Sequence, residues 1–254
     1  MSDVRVVVQA RTDSSRFFAK AFVPVSRVPS AVLAALRAGN RGADVVVATT
    51  DRDTDDALAR TFEAYDIDVA RGPTDDVRQR YLLASEDLDD EATIVRVTAD
   101  NVVPDGDFIA ALVAEFRRCG GAYLGSTSSA RLLPLGLGAE AFRLGTLRAL
   151  SSEVDDPYDR EHVTPTLRAR HASGGLDLTL GRLPAAGHLR CTLDTLEDYE
   201  RLVQLFDGVE DPVTVGWRAL LERLVALGAA KAAAAAGLAD PRRSGRDPGS
   251  GSPA

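Results

Sequence analysis

The sequence predicts an α/β fold, a doubly wound and mostly parallel sheet of the Rossmann-like kind with ligands at the carboxyl ends of its strands. Three observations carry this reading. Short β-branched runs at Val4–Val8 (VRVVV), Asp44–Thr50 (DVVVATT) and Thr93–Val97 (TIVRV) each stop at a polar loop, as strands buried on both faces do. Amphipathic helical segments separate them. Strand, loop and helix then alternate steadily, the rhythm of successive crossover units.

Taken in order, the first strand, Val4–Val8, runs into a basic loop, and Pro29–Leu36 begins a helix with proline near its first position. Strand Asp44–Thr50 precedes a helix over Thr54–Ala64, whose first turn carries Asp55 and Asp56 where they favour the helix dipole. Ile67–Ala70 reads as a third strand, the Asp75–Asp76 pair opens a helix to about Glu86, and Thr93–Val97 is a fourth strand. After Phe116 a Gly-Gly break at 120–121 leads to a strand over Ala122–Leu124 and a loop rich in serine, threonine and glycine, an insertion suited to shaping an acceptor pocket. Gly145–Ser151 and Glu161–His171 read as helices, Leu176–Leu180 and His188–Leu193 as strands, and Leu196–Phe206 and Val215–Leu227 as closing helices. One domain spans residues 1–228. The remainder, 229–254, is a low-complexity tail: its alanine run is able to extend the last helix, and DPRRSGRDPGSGSPA predicts disorder.

Composition narrows the function. With 254 residues, 45% hydrophobic and 27% charged, the chain has the apolar material for one substantial core. A formal charge of −8 spread along it disfavours nucleic acid and anionic membranes as partners, so a polyanionic ligand needs a local basic cluster. Cys119 and Cys191 lack metal spacing and read as core thiols. Neither a signal peptide nor a membrane span is expected, which makes the cytoplasm the default address.

The loop QARTDSSRFFAK supplies that basic cluster. Arg11, Arg16 and Lys20 crowd a short segment in which backbone amides and the hydroxyls of Ser14 and Ser15 suit phosphate oxygens. A solvated basic loop would have the same composition, and the glycines of a P-loop are missing. Thr49, Thr50 and Asp51 are candidates for contact with a base or ribose, with helix capping as the alternative for Asp51 and Asp53. Arg71–Asp76 reads either as a lid or as a plain connector. Glu140, behind Gly136 and Gly138, is a candidate for contact with ligand hydroxyls, or a solvated loop residue; Arg160, Glu161 and His162 sit together, and His162 suits orientation or deprotonation of a hydroxyl, or a structural place at a helix start. Arg96 is expected to pair with Asp100 or to reach substrate.

Several ordered blocks carry a family resemblance. QARTDSSRFFAK resembles Q-A-R-x-x-S-T-R-L-P-G-K, RGPTDDVRQRY resembles G-x-x-x-D-V-x-x-R-Y, and VRVTADNVVPD resembles R-x-T-x-D-x-P-x-x-D with one residue added. VVVATTDRDTDD, LPLGLGAEAF, DREHVTP and CTLDTLEDYE match further segments in sequence, so the likeness runs from about residue 4 to 206. These are the segments of cytidylyltransferases similar to the spore-coat polysaccharide biosynthesis proteins, relatives of the CMP-sialic acid and CMP-ketodeoxyoctonate synthetases. The resemblance implies a nucleotide-diphospho-sugar transferase-like fold and transfer of CMP from CTP to a sugar or sugar-acid acceptor. It places the base near Gln9 and Ala10, the triphosphate on Arg11, Arg16 and Lys20, Mg²⁺ on Asp100 and Asp194, and Glu140 with the block of Arg160, Glu161 and His162 on the acceptor side, and it makes a homodimer the expected assembly. Hard oxygen ligands at strand ends beside a triphosphate suit such a metal independently of family. Taken singly, Asp100 reads as a turn residue and Asp194 as an N-cap.

Phe17-Phe18-Ala19 stands where the family has Leu-Pro-Gly, so the loop is expected to depart from the usual path, with the phenylalanines packing inward. Alternative readings are a small phosphonate or phosphate acceptor, a nucleotide-binding module without catalysis, and a sugar transferase using Asp105-Gly106-Asp107, where helix capping is the simpler use of the letters.

Overall fold

The β-branched runs become strands where expected: β1 (Val4–Gln9), β4 (Asp44–Thr50), β5 (Asp68–Gly72) and β6 (Thr93–Thr98), with a short hairpin of β2 (Pro24–Val25) and β3 (Val28–Pro29) between the first two, and with β7 (Tyr123–Gly125) and β8 (Glu140–Arg143) later. The computed structural model describes residues 4–14, 16–126, 133–172, 183 and 186–238. Ser15, the strand expected over 176–180, residues 127–129 of the hydroxyl-rich loop and the tail from 239 lie outside them. The main sheet has the order β5-β4-β1-β6-β8-β7. Its first four strands pair in parallel, and β8 runs antiparallel to both β6 and β7. The mixed edge follows from the insertion after Phe116, which returns the chain by antiparallel pairing rather than a helical crossover.

Helices cover both faces: α1 (Ser30–Gly39), α2 (Asp56–Glu63), α3 (Val77–Leu83), α4 (Gly106–Cys119), α5 (Leu144–Glu153), α6 (Pro157–His162), α7 (Pro165–His171), α8 (Leu196–Phe206) and α9 (Trp217–Leu238). Alternation within the central strand explains the two cores. Val6 and Val8 of β1 pack with Leu33 of α1, Phe62 of α2, Phe108 of α4, Leu205 of α8 and Leu220 of α9 on one side. Val7 packs with Tyr81, Phe142, Leu147 and Leu167 on the other. A strand buried on both faces needs apolar residues at every position, which is why VRVVV is continuous rather than alternating.

Four sequence expectations change. Glu161–His171 is two short helices, because Val163 (φ 68°, ψ −49°) breaks the run and Thr164 N–H donates to the His162 carbonyl at 2.8 Å, closing a γ-turn. Residues 188–193 form an isolated bridge, Leu135 with Arg190, instead of a strand. The last helix continues to Leu238, past the boundary drawn at 228. Cys191 is a buried thiol with its pKa pushed up to about 12 by burial, whereas Cys119 is half-exposed. The hairpin of β2 and β3 gives no sequence signal, since its turn puts Ser26 (φ 49°) and Arg27 (φ 71°) in left-handed conformations that glycine and asparagine usually mark.

Capping accounts for Asp105-Gly106-Asp107. Asp105 accepts from Phe108 N–H at 2.9 Å and from Trp217 N–H at 2.7 Å, so one carboxylate starts α4 and α9 together. Asp107 pairs with Arg41 at 2.7 Å. Buried Arg37 completes this corner, donating to the carbonyls of Val103, Pro212 and Val215 at 2.7–2.9 Å; burial brings its pKa down to about 10.

Candidate active site

The chain leaves β1 toward β4 and β5, then returns to β6 on the other side of β1. Two strands that diverge in this way leave a crevice at their carboxyl ends. A cavity of about 230 Å³ lies there, lined by Gln9, Ala10, Arg11, Ser14, Arg16, Lys20 and, from the end of β6, Thr98 and Asp100. Ala10 N–H continues the sheet toward Ala48 at 3.1 Å, and Ala99 N–H donates to the Gln9 carbonyl at 3.0 Å, so both strand ends are fixed.

The basic loop is pinned from outside the cavity. Asp55 accepts from Thr12 N–H at 2.8 Å and from the Thr50 hydroxyl. Burial alone would raise its pKa, yet these hydrogen bonds hold it below the usual carboxylate range. Thr49 and Thr50 are both fully buried and do not line the cavity, which corrects their assignment to the nucleotide: Thr50 anchors the loop through Asp55. Arg71 donates to the carbonyls of Thr50 and Arg52 at 3.0 and 2.9 Å, which makes Arg71–Asp76 a connector. Asp76 caps α3 by accepting from Gln79 N–H at 2.8 Å.

Ala19 sits at φ 52°, ψ 28°, the left-handed region in which a glycine has no steric penalty. The loop therefore keeps a glycine-like backbone without the glycine. Phe17 packs on Tyr199, ring centroids 6.2 Å apart, but Phe18 is 86% exposed, so only one phenylalanine acts as an anchor. Ala19→Gly is expected to stabilise the protein by about 0.5–1 kcal/mol, relief of the left-handed strain outweighing glycine's entropy. Urea denaturation with an unchanged m-value checks this; a fall in midpoint would contradict it.

Asp100, at the edge of the cavity, and Asp194 behind it are joined through Lys20. Leu193 N–H donates to the Asp100 carbonyl at 2.9 Å, which lays the two segments side by side. Lys20 Nζ then donates to Asp100 Oδ2 at 3.2 Å, to Asp194 Oδ1 at 2.9 Å and to the Leu193 carbonyl at 2.9 Å. Arg16 reaches Asp194 Oδ1 at 2.9 Å. Asp194 is not the cap of α8. Thr195 takes that role in a capping box with Asp198, leaving the Asp194 carboxylate turned toward Lys20. Asp198 is buried and accepts from Arg190 at 2.8 and 2.9 Å and from Arg201 at 2.8 Å, and it also receives Asp194 N–H at 3.1 Å. These contacts fix the backbone that presents Asp194.

A second pocket of about 340 Å³ opens beside Thr98, walled by Leu133 to Ala139 and by Arg96, Asn101, Glu140 and Arg168. Gly136 (φ 104°) makes this wall possible, since a Cβ there would stand 2.3 Å from Thr192 N. Glu140 is no solvated loop glutamate. It begins β8, 4% exposed, and accepts from Arg96 at 2.6 Å, Tyr123 at 2.5 Å, Arg168 at 2.7 Å and Thr164 at 3.0 Å. Burial would raise its pKa, but Arg96, Tyr123 and Arg168 together hold it below the usual range. With its oxygens engaged, Glu140 orients two guanidiniums rather than meeting a ligand itself. Arg96 thus pairs with Glu140 instead of Asp100, and its other nitrogen donates to Gln9 Oε1 at 3.3 Å, linking the two pockets.

Arg160, Glu161 and His162 do not line this pocket. Arg160 pairs with Asp155 at 2.8 Å, Glu161 is exposed, and exposed His162 stacks edge-on against Tyr158 at 4.3 Å. The block contributes instead through Thr164 and Arg168, placed by the γ-turn at Val163. Arg80 is the residue the sequence reading passed over: it lies within the RGPTDDVRQRY block and lines the first cavity, 1% exposed.

Comparison with known proteins decides the family. A family model described as Cytidylyltransferase matches residues 5–207. The chain belongs to this cytidylyltransferase family. It is a nucleotidyltransferase, and its family chemistry is transfer of CMP from CTP. The spore coat polysaccharide biosynthesis protein SpsF of Bacillus subtilis is 27% identical over 215 residues, 81% of this chain and 87% of that one. An uncharacterised protein of Methanocaldococcus jannaschii is also 27% identical, over 78% of this chain and 81% of its own. A cytidylyltransferase structure from Leptospira borgpetersenii superposes with a TM-score of 0.77 at 25% identity, covering 90% of this chain and 96% of that one. CMP:2-keto-3-deoxy-manno-octonic acid synthetase, solved with CTP, shares the fold at a TM-score of 0.56 and 15% identity, over 81% of this chain and 98% of its own. Among the described residues no helix is long and apolar enough to cross a membrane.

Proposed function

We propose that this cytidylyltransferase transfers CMP to a sugar-acid acceptor and releases pyrophosphate. The observation that carries the reading is the convergence of Asp100, Asp194, Arg16 and Lys20 at the carboxyl ends of β1 and β6. Gln9 and Ala10 border the nucleoside, with Arg11 and Ser14 beside the phosphates. An acceptor oxygen in the second pocket attacks the α-phosphorus as the bond to the β-phosphate oxygen breaks, and the acceptor's proton leaves to solvent. Arg16 and Lys20 offset the charge that grows on pyrophosphate. Positioning and charge stabilisation supply the rate enhancement.

The edge of the cavity fits Mg²⁺. Three hard oxygens, from Asp100, Asp194 and the Leu193 carbonyl, already surround one ammonium. Two carboxylates leave coordination positions that substrate phosphates would fill. When bound, the ion supplies Lewis-acid polarisation of the phosphoryl group.

The second pocket favours an anionic acceptor. Arg96 and Arg168 share the single carboxylate of Glu140, so the wall carries excess positive charge beside the apolar Leu133 and Leu137. A sugar acid fits, and the same charge favours a small phosphonate or phosphate as the second reading. Titration with CTP, UTP, ATP and GTP in Mg²⁺ should show selective CTP binding, followed by acceptor-dependent pyrophosphate release with acidic sugars or phosphonates but not neutral sugars. Absence of binding by any triphosphate would sink the proposal; turnover on neutral sugars alone would sink the acceptor class.

A further inference from the structure

Among the described residues, Arg80 is a buried cation with two unpaired nitrogens. Its stem rises from α3 past Gly72, where an added Cβ would stand 3.1 Å from Arg80 Cγ, so the fold leaves space for this side chain. Nε and Nη1 are buried and find no hydrogen-bond acceptor among the described residues. Burial pulls its pKa down, Arg11 adds to that, and Tyr81, Asp55 and Asp76 pull the other way. A guanidinium removed from water and left unpaired opposes folding, and native proteins keep such groups where a ligand completes them. The cavity it lines is also lined by Gln9, Arg11, Lys20 and Asp100. Lys20 and Arg16 are engaged by Asp194; among the described residues no carboxylate forms an ion pair with Arg80, and Asp55 and Asp76 act on it only at longer range.

We infer that Arg80 is the innermost phosphate-binding group of this cavity, donating to the non-bridging oxygens of the phosphate attached to the nucleoside. The inference rests on the nucleotide reading above and adds to it a cost: the ligand-free protein is destabilised by the residue that grips the ligand. A base carbonyl would satisfy the donors but not the charge, which favours the phosphate.

The test combines thermal unfolding with binding, using the full chain and Arg80→Met, with Arg80→Gln as a second variant. Removing an unpaired buried cation should raise the melting temperature of the ligand-free protein by about 2–4 °C. The same change should weaken CTP and CMP alike, by about 30-fold, and leave cytidine binding unchanged. A lower melting temperature for both variants with unchanged CTP affinity would make Arg80 structural and overturn the inference alone. Equal weakening of cytidine and CMP would transfer the contact to the base and also overturn it. Wild-type protein that binds none of these nucleotides would overturn the nucleotide reading and this inference with it.

Discussion

Asp194→Asn should lower turnover by about 10³-fold while weakening CTP binding only when Mg²⁺ is present. The substitution keeps the shape of the side chain and removes the charge that Lys20 and Arg16 share. In EDTA the sign reverses. On the proposed reading, Asp194 without a metal is a negative charge facing a triphosphate, and its loss releases Lys20 and Arg16 toward the phosphates, so metal-free CTP affinity should rise. Asp100→Asn should behave alike, with a smaller rise because Asp100 holds Lys20 at 3.2 Å and does not contact Arg16. Titration of both variants with and without Mg²⁺ reads the four affinities. A fall in metal-free affinity would mean that the two carboxylates position the loop and do not hold the cation.

Much of this site is legible in the sequence because its parts lie at strand ends. Gln9, Ala10 and Asp100 end the two most recognisable apolar runs, and a doubly wound sheet brings such ends together. Thr195 and Asp198 follow the spacing of a capping box, which separates Asp194 from the cap it resembles. What stays hidden is fixed by contacts far along the chain. The Glu140 cluster draws Arg96 from β6, Tyr123 from β7, Arg168 from α7 and Thr164 from the turn before it, and no local pattern announces it. Thr50 looks like a strand-end hydroxyl open to a nucleotide, yet it faces Asp55. The Arg160–His162 cluster misleads for the opposite reason, since chemically versatile side chains mark a site only when the backbone turns them inward. At Val163 the γ-turn turns the next residue, Thr164, inward instead. Arg80 stands at the arginine of the G-x-x-x-D-V-x-x-R-Y block, but no local pattern shows that its helix turns it toward the cavity, since an arginine on a short helix is ordinarily a solvated one.

Glu140→Ala should be the most destabilising single change in the wall of the second pocket, by about 3–5 kcal/mol, because it strands a buried guanidinium on Arg96. Tyr123 and Thr164 lose their acceptor in the same step. Glu140→Gln keeps an oxygen for one donor and removes the charge, so it should cost less, about 1–3 kcal/mol. The pH dependence identifies the cause. Because the folded-state pKa of Glu140 lies below the usual value, its contribution is fully present above the unfolded carboxyl pKa of about 4.3 and is lost as pH falls through the folded value. The stability gap between wild type and Glu140→Gln should therefore be constant near neutrality and shrink on acidification below that point. Urea denaturation of both proteins across this range measures the gap. Catalysis should fall with it, since Arg96 links Glu140 to Gln9 and a displaced guanidinium disturbs the acceptor and the nucleoside together. A gap that stays level through acidification would mean that packing, not the carboxylate charge, is what Glu140 contributes.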